Sequence, residues 1–318
     1  MSYNKERYRT LKNIAYYLLF VLLYVVSLLP LWVLHGVSSL LSLLLFRVVR
    51  YRRQVVHDNI ASAFPEMSQS EHARMERQFY AYFCDLIVEW VKSFSMTKRA
   101  FRRHMQFKGM ELLEQSCRKG RSCAIFLGHY ANWEWTSTMP LWLDPKLCLV
   151  SQLYHPLENY VTDQLILHTR HRFGGVNITA DKSIKYIVEN QRKGRPLIVG
   201  FVADQAPFWD NIYFWSQFLN HETPWFTGAE RIVKKLDMDA YYLDIYRVKR
   251  GYYVAECKLI TAAPKDTAQF WITNEYGKML EETIRRQPPY WLWSHRRWKR
   301  TKEEWLRITN GGIKPKDR

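Results

Sequence analysis

The sequence predicts an α/β protein with a mainly parallel mixed sheet flanked by helices, preceded by an N-terminal membrane-anchoring helix or helical hairpin. Three observations carry that prediction. Residues 14–46 contain no charged side chain other than His35. Downstream, short apolar runs of strand length follow one another, and stretches with helical spacing separate them.

Residues 14–34 would make a helix of about 31 Å, enough to cross a bilayer core of roughly 30 Å. A cleaved signal peptide would have a shorter apolar stretch and a small-residue cleavage site, and neither is apparent, so a retained anchor is expected. Basic residues flank the run on both sides: Lys5, Arg7, Arg9 and Lys12 before it, Arg47, Arg50, Arg52 and Arg53 after it. The positive-inside rule places both flanks in the cytoplasm. Two helices hinged near Pro30 and re-entering one leaflet satisfy that rule. A single span whose second half lies on the body of the protein is the alternative.

A helix over residues 54–63, a turn at Pro65 and Ser68 to Ser70, and a helix over 71–93 come next. The stripe Met75, Phe79, Tyr82, Phe83, Leu86, Ile87 and Trp90 marks the packed face of that helix. Residues 122–127, 147–152 and 195–202 read as strands, and 159–173 and 182–193 as helices between them. Residues 240–248 and 252–260 read as a hairpin turning at Lys249-Arg250-Gly251, and 266–286 as a last amphipathic helix. With no repeat and no Gly- or Pro-rich linker, the expected division is an anchor over residues 1–50 and one domain over 51–318.

Composition narrows the function. The 318 residues carry 47 Lys+Arg against 30 Asp+Glu, a formal net charge of +17, with 47% hydrophobic and 24% charged residues. That excludes a disordered chain. Excess base favours an acidic partner, and 13 Trp with 20 Tyr favour a membrane–water boundary. The five cysteines, Cys84, Cys117, Cys123, Cys148 and Cys257, form no paired spacing, so neither a disulfide framework nor a metal site is expected.

In open α/β sheets, ligands bind beyond the carboxyl ends of the strands. Two such ends carry chemistry: Gly128-His129-Tyr130-Ala131-Asn132-Trp133-Glu134 and Ala203-Asp204-Gln205. Asn132 can cap a following helix. If the loop folds back, the Glu134 carboxylate reaches the His129 imidazole and fixes its tautomer, leaving the other ring nitrogen as a general base. A His and a Glu five residues apart are also a common coincidence.

The wider pattern distinguishes the two readings. His129 and Glu134 resemble the His-x4-Asp/Glu motif of glycerolipid-type acyltransferases, and Asn132-Trp133-Glu134 resembles the bacterial lipid A biosynthesis (late, secondary) acyltransferase family. Val56-His57-Asp58-Asn59-Ile60 with Phe64-Pro65-Glu66, Tyr154-His155-Pro156 with Arg170-His171-Arg172-Phe173-Gly174, Thr223 to Gly228, and Tyr290 to Lys299 are similar to that family's other blocks, in the same order. The resemblance implies a glycerolipid acyltransferase-like fold at the cytoplasmic face of the bacterial inner membrane. It implies transfer of a fatty acyl chain from acyl carrier protein, or acyl-CoA, to a hydroxyl of a lipid A precursor, with no metal or cofactor and no nucleic-acid partner.

His129 would be the base and Glu134 its orienting carboxylate. Asn132, Arg170, Arg172, Asp204 and Gly228 would contact substrate, with Asp204 positioning an arginine or the glycan. Glu230 faces either the headgroup or solvent. Arg296, Arg297, Lys299 and Arg300, set among Trp293 and Trp298, could form a nucleic-acid patch, but with an apolar anchor on the same chain they read as a membrane- or carrier-facing basic patch. One departure stands out: many relatives have Tyr-Arg-Pro where this chain has Tyr154-His155-Pro156, which leaves room for another acceptor such as a lysophospholipid or aminolipid. A non-enzymatic membrane scaffold is the rival from a different class.

Overall fold

The computed structural model describes residues 2–310, with side chains from Leu11 to Thr309. The flanking side chains of Lys5, Arg7 and Arg9, and the part of the expected second domain beyond residue 310, lie outside the described residues.

Seven strands form one sheet: β1 (Met105–Lys108), β2 (Cys123–Leu127), β3 (Leu149–Tyr154), β4 (Val176–Thr179), β5 (Leu197–Val202), β8 (Asp239–Lys249) and β9 (Tyr252–Thr261). Their spatial order is β1-β9-β8-β2-β5-β3-β4. Neighbouring pairs are parallel except the β8–β9 hairpin. β2 is buried along its whole length, which explains its unbroken run Cys-Ala-Ile-Phe-Leu: a central parallel strand has no face toward water. β6 (Ile212–Phe218) and β7 (His221–Phe226) form a separate antiparallel hairpin.

Helices flank the sheet; the chain's helices include α3 (Arg53–Ala63), α5 (Lys98–His104), α6 (Met110–Arg118), α8 (Ser183–Arg192) and α11 (Lys302–Asn310). α4 (Gln69–Lys92) opens on a capping box in which Ser68 and Glu71 satisfy each other's backbone donors. α7 (Tyr160–His171) starts at Asn159, whose side chain accepts from the Thr162 N–H. α10 (Trp271–Arg286) begins later than the sequence suggests, because a short 3₁₀ turn at Pro264–Asp266 precedes it. The predicted strand over 147–152 sits two residues later, as β3.

Of the two expected arrangements, one continuous helix over residues 14–34 and two helices hinged near Pro30, the chain has the second. α1 runs Ser2–Ser27 and α2 runs Leu31–Leu43, separated at Pro30, whose extended backbone (ψ 145) cannot continue a helix. The turn is tied to the C-terminus of α4: Lys92 Nζ donates to the Ser27 and Leu29 carbonyls at 2.7 and 2.9 Å, and Ser95 Oγ to Ser27 at 2.6 Å. These donors satisfy carbonyls that the end of α1 leaves open. Among the described residues, Leu31–Val49 is the one helical stretch long and apolar enough to cross a membrane by length and composition.

α2 is amphipathic in reverse. Trp32 is 77% exposed and Leu40 71%, whereas His35 and Ser38 are buried. Those two polar residues, three apart, meet two carboxylates four apart on α4: His35 Nε2 lies 3.0 Å from Glu89 Oε1, and Ser38 Oγ donates to Asp85 Oδ1 at 2.6 Å. Arg247 and Arg250, flanking the β8–β9 turn, also donate to Asp85, at 2.7 and 2.6 Å.

Candidate active site

β2 delivers His129 to the carboxyl edge of the sheet, and β5 beside it delivers Asp204. Gly128 makes their approach possible: a Cβ there would lie 2.7 Å from Leu280 Cδ1 and 3.1 Å from Asp204 Oδ2. Without it the His129 N–H reaches Asp204 Oδ2 at 2.8 Å, and His129 Nδ1 lies 2.6 Å from Asp204 Oδ1. Trp291 Nε1 gives Asp204 Oδ2 a further hydrogen bond at 2.8 Å.

Burial alone would raise the Asp204 pKa, but the neighbouring imidazole and these donors outweigh it and bring it to about 2. The carboxylate is therefore ionised and can only accept. It fixes the proton on Nδ1 of the neutral imidazole and leaves the Nε2 lone pair toward the cavity. Gln205 Nε2 lies 3.2 Å from that nitrogen.

This geometry corrects the expected roles of the two acids. Asp204, not Glu134, is hydrogen-bonded to His129, and it is buried. Glu134 is held instead by Arg170 in a two-point pair, Nε to Oε2 at 3.0 Å and Nη2 to Oε1 at 2.6 Å. Burial works to raise the Glu134 pKa, and the Arg170 charge more than offsets it, so the net shift is downward. The reason lies in the start of the following segment: Asn132 caps a 3₁₀ helix over Trp133–Trp142, accepting from the Trp135 N–H at 3.1 Å. That helix carries the Glu134 side chain across to α7 rather than back to the imidazole.

His129, Glu134, Arg170 and Gln205 share one cavity of about 510 Å³. Its floor is the sheet, in register: Leu127 beside Val202, then Ile125 beside Gly200 and Gln152, then Ile198 beside Val150. Its roof includes Trp133 and Met139. From Val202 to Ile198 this apolar surface descends roughly 13 Å at about 3.3 Å per residue. A concave cleft lined mainly by apolar side chains, on which His129, Glu134, Arg170 and Gln205 converge, is the expected form of a ligand site.

Three other expected contacts fall elsewhere. Asn132 is buried outside the cavity walls, and its Nδ2 donates to Glu89 Oε2 at 2.6 Å. Arg172 donates to the Ser93 carbonyl and lies over the Phe173 ring, outside the cavity walls. Gly228 opens α9 (Gly228–Leu236), away from the cavity. Glu230 faces neither headgroup nor solvent: it is buried and accepts from Thr273 N and Oγ1 at 2.9 and 2.6 Å.

The C-terminal basic patch is likewise partly internal. Arg297 is fully buried against the Trp225 ring and donates to the Pro224 carbonyl at 2.7 Å, and burial lowers its pKa to about 10. In the sequence Gln205 stands out only as part of the strand end Ala203-Asp204-Gln205, with no role of its own. Its position directly after Asp204 at a strand end was the available signal, although glutamine is uncharged and draws little notice.

His295 is partly buried and accepts a hydrogen bond from the Ala206 N–H at 3.3 Å. Burial holds its pKa down at about 4, against 6.5 in the unfolded chain. The unfolded state therefore takes up a proton first as pH falls. Stability from this group is complete above pH 6.5 and is lost on acidification toward 4, amounting to about 3 kcal/mol. Thermal melts of the detergent-solubilised protein between pH 7 and 4.5 should show that slope, and His295→Gln should flatten it.

A family model described as bacterial lipid A biosynthesis acyltransferase matches residues 1–300. The protein is also similar to lipid A biosynthesis acyltransferase 2 of Shigella flexneri, at 24% identity over 149 residues, 46% of this chain and 46% of that protein. The match thus spans about half the length of that relative. With a family model running through nearly all of its length, the chain belongs to the bacterial lipid A biosynthesis acyltransferase family.

Proposed function

We propose that this protein transfers a fatty acyl chain from an acyl thioester, carried by acyl carrier protein, to a hydroxyl of a lipid A precursor at the inner membrane. The observation that carries the reading is the His129 imidazole, held by Asp204 at Nδ1 and opening through Nε2 onto an apolar cavity. A hydroxyl is a weak nucleophile at neutral pH, and a neutral imidazole within hydrogen-bond reach is the group that activates it. His129 Nε2 takes the hydroxyl proton while the oxygen attacks the thioester carbonyl. The same proton then passes to the departing thiolate.

The outward apolar faces of α1 and α2, including Leu18, Leu22, Trp32 and Leu40, support seating in the membrane, because exposed apolar surface of this extent marks a lipid or protein contact. Under this reading residues 1–50 anchor the domain over 51–318 at the cytoplasmic face. The net charge of +17 suits an acidic carrier and anionic headgroups. Glu134 and Arg170 act as one unit, orienting a guanidinium in the cavity for a carbonyl or phosphate oxygen.

The test is purified protein with acyl-carrier-protein thioesters and a lipid A precursor, read by mass spectrometry of the lipid. A product heavier by one acyl chain supports the proposal, and thioester left unconsumed overturns it. His155 lines the cavity where relatives carry arginine, so lysophospholipid and aminolipid acceptors belong in the same panel.

The floor also sets chain length in this reading. Gly200 sits at mid-depth, and a Cβ there would meet Gln152 Cβ at 3.7 Å, an ordinary contact. Gly200→Ala should fold and transfer long chains, whereas Gly200→Leu should shift the preferred donor to chains shorter by several carbons. Competition between two thioesters of different length reads the shift directly.

A further inference from the structure

We propose that Gln205 is a catalytic residue, its side-chain amide donating to the thioester carbonyl oxygen as that oxygen becomes an oxyanion. The inference rests on His129 acting as the base. Attack by the acceptor oxygen on the acyl carbon forms a C–O bond and pushes the carbonyl π pair onto oxygen, where charge must be met by a preorganised donor. The candidates at this edge of the sheet are few. The backbone N–H of His129 is already bonded to Asp204 Oδ2 at 2.8 Å. Two nitrogens of Arg170 are committed to Glu134, and the third, Nη1, is free among the described residues to assist at the same oxygen or to meet a phosphate of the acceptor.

Gln205 has an amide with two N–H groups, partly buried in the cavity wall and 3.2 Å from the nitrogen that receives the proton. With Nδ1 carrying the ring proton, Nε2 is an acceptor, so it is an N–H of Gln205 that faces it. The bond is at the long end of the normal range and is readily exchanged. An incoming hydroxyl takes the place on Nε2, and the amide, displaced by one hydrogen-bond length, is left beside the reacting carbonyl.

The backbone holds the amide in place from both sides. Ala203 N donates to the Leu127 carbonyl at 3.3 Å, and Ala206 N donates to His295 Nε2, also at 3.3 Å. One strand end therefore serves both ring nitrogens: Asp204 fixes Nδ1, and Gln205 guards Nε2. When the tetrahedral intermediate collapses, the C–S bond breaks, the thiolate takes the proton from Nε2, and the Gln205 N–H returns to the freed lone pair.

The test is steady-state kinetics of the full-length protein with an acyl-carrier-protein thioester and its lipid acceptor. Gln205→Ala should lower kcat roughly 10²- to 10³-fold, the usual effect of losing one oxyanion donor, with KM for both substrates nearly unchanged. Gln205→Glu fills the same space but cannot donate, and should lose as much. Gln205→Asn keeps a donor on a shorter arm and should recover part of the rate.

A kcat for both Ala and Glu variants within a few-fold of the parent, with His129→Ala inactive, overturns the role of Gln205 alone. So does a loss appearing in KM instead of kcat. Full activity in His129→Ala overturns the base itself. If the alanine variant does not fold, the near-isosteric Glu variant decides: full activity sinks the proposal, and a folded, slow enzyme supports it.

Discussion

Asp204→Asn should lower kcat by roughly 10²- to 10⁴-fold while the protein stays folded. The asparagine carbonyl can still accept from the His129 N–H and from Trp291 Nε1, which now bond to Asp204 Oδ2 at 2.8 Å each. Its NH₂ then faces His129 Nδ1. An amide can only donate there, so the imidazole is forced into the tautomer with the proton on Nε2, where it cannot accept one from a hydroxyl. His129→Ala removes the base outright and should match or exceed that loss. Glu134→Gln breaks the charge pair with Arg170 but leaves the His129–Asp204 contact intact, so its loss should be smaller and weighted toward KM. Rate measurements on the three variants, with melting temperatures as control, check the ordering. An Asp204→Asn enzyme as fast as the parent, beside an inactive Glu134→Gln, would return the orienting role to Glu134.

That ordering turns on what local sequence can and cannot convey. The strand ends at His129 and Asp204 were legible because each follows a short apolar run closed by small or polar residues. Which acid reaches the imidazole was not, because the answer lies in the neighbour relation of β2 and β5, 75 residues apart along the chain. Glu134 is near His129 in sequence, yet the 3₁₀ segment opened by Asn132 turns it toward Arg170.

Most helices and the β8–β9 hairpin could be read from periodicity. β1 and β4 could not, since each has four residues and alternates like any surface segment. The β6–β7 hairpin escaped because β7 opens on His221-Glu222-Thr223-Pro224 and the pairing shifts register between Ile212 and Trp215. His35 stood out in the apolar run, but its meaning depends on Glu89, 54 residues away.

Glu89→Ala should destabilise the protein by about 3–5 kcal/mol, because three buried polar groups lose their partner at about 1–3 kcal/mol each. Glu89 is fully buried, and three separate parts of the chain bond to its carboxylate. His35 of α2 reaches Oε1 at 3.0 Å, while Asn132 and Tyr253 donate to Oε2 at 2.6 and 2.8 Å. Trp135 Nε1 adds a bond to its backbone carbonyl at 3.3 Å. With the carboxylate gone, His35, Asn132 and Tyr253 lose that buried partner, while the Trp135 bond to the backbone remains.

The loss should also reach catalysis. Asn132 caps the segment carrying Trp133 and Glu134, and Ala131 beside it is held at φ +48, a conformation that persists only while its surroundings fix it. Leu113→Ala, in the core but away from this network, removes a comparable amount of stability and serves as the comparison. Assayed well below both melting temperatures, Glu89→Ala should turn over slowly and Leu113→Ala at nearly the parent rate. Equal rates would mean that the network only holds the hairpin on the body. Unequal rates would tie the packing of α2 to the loop that carries His129.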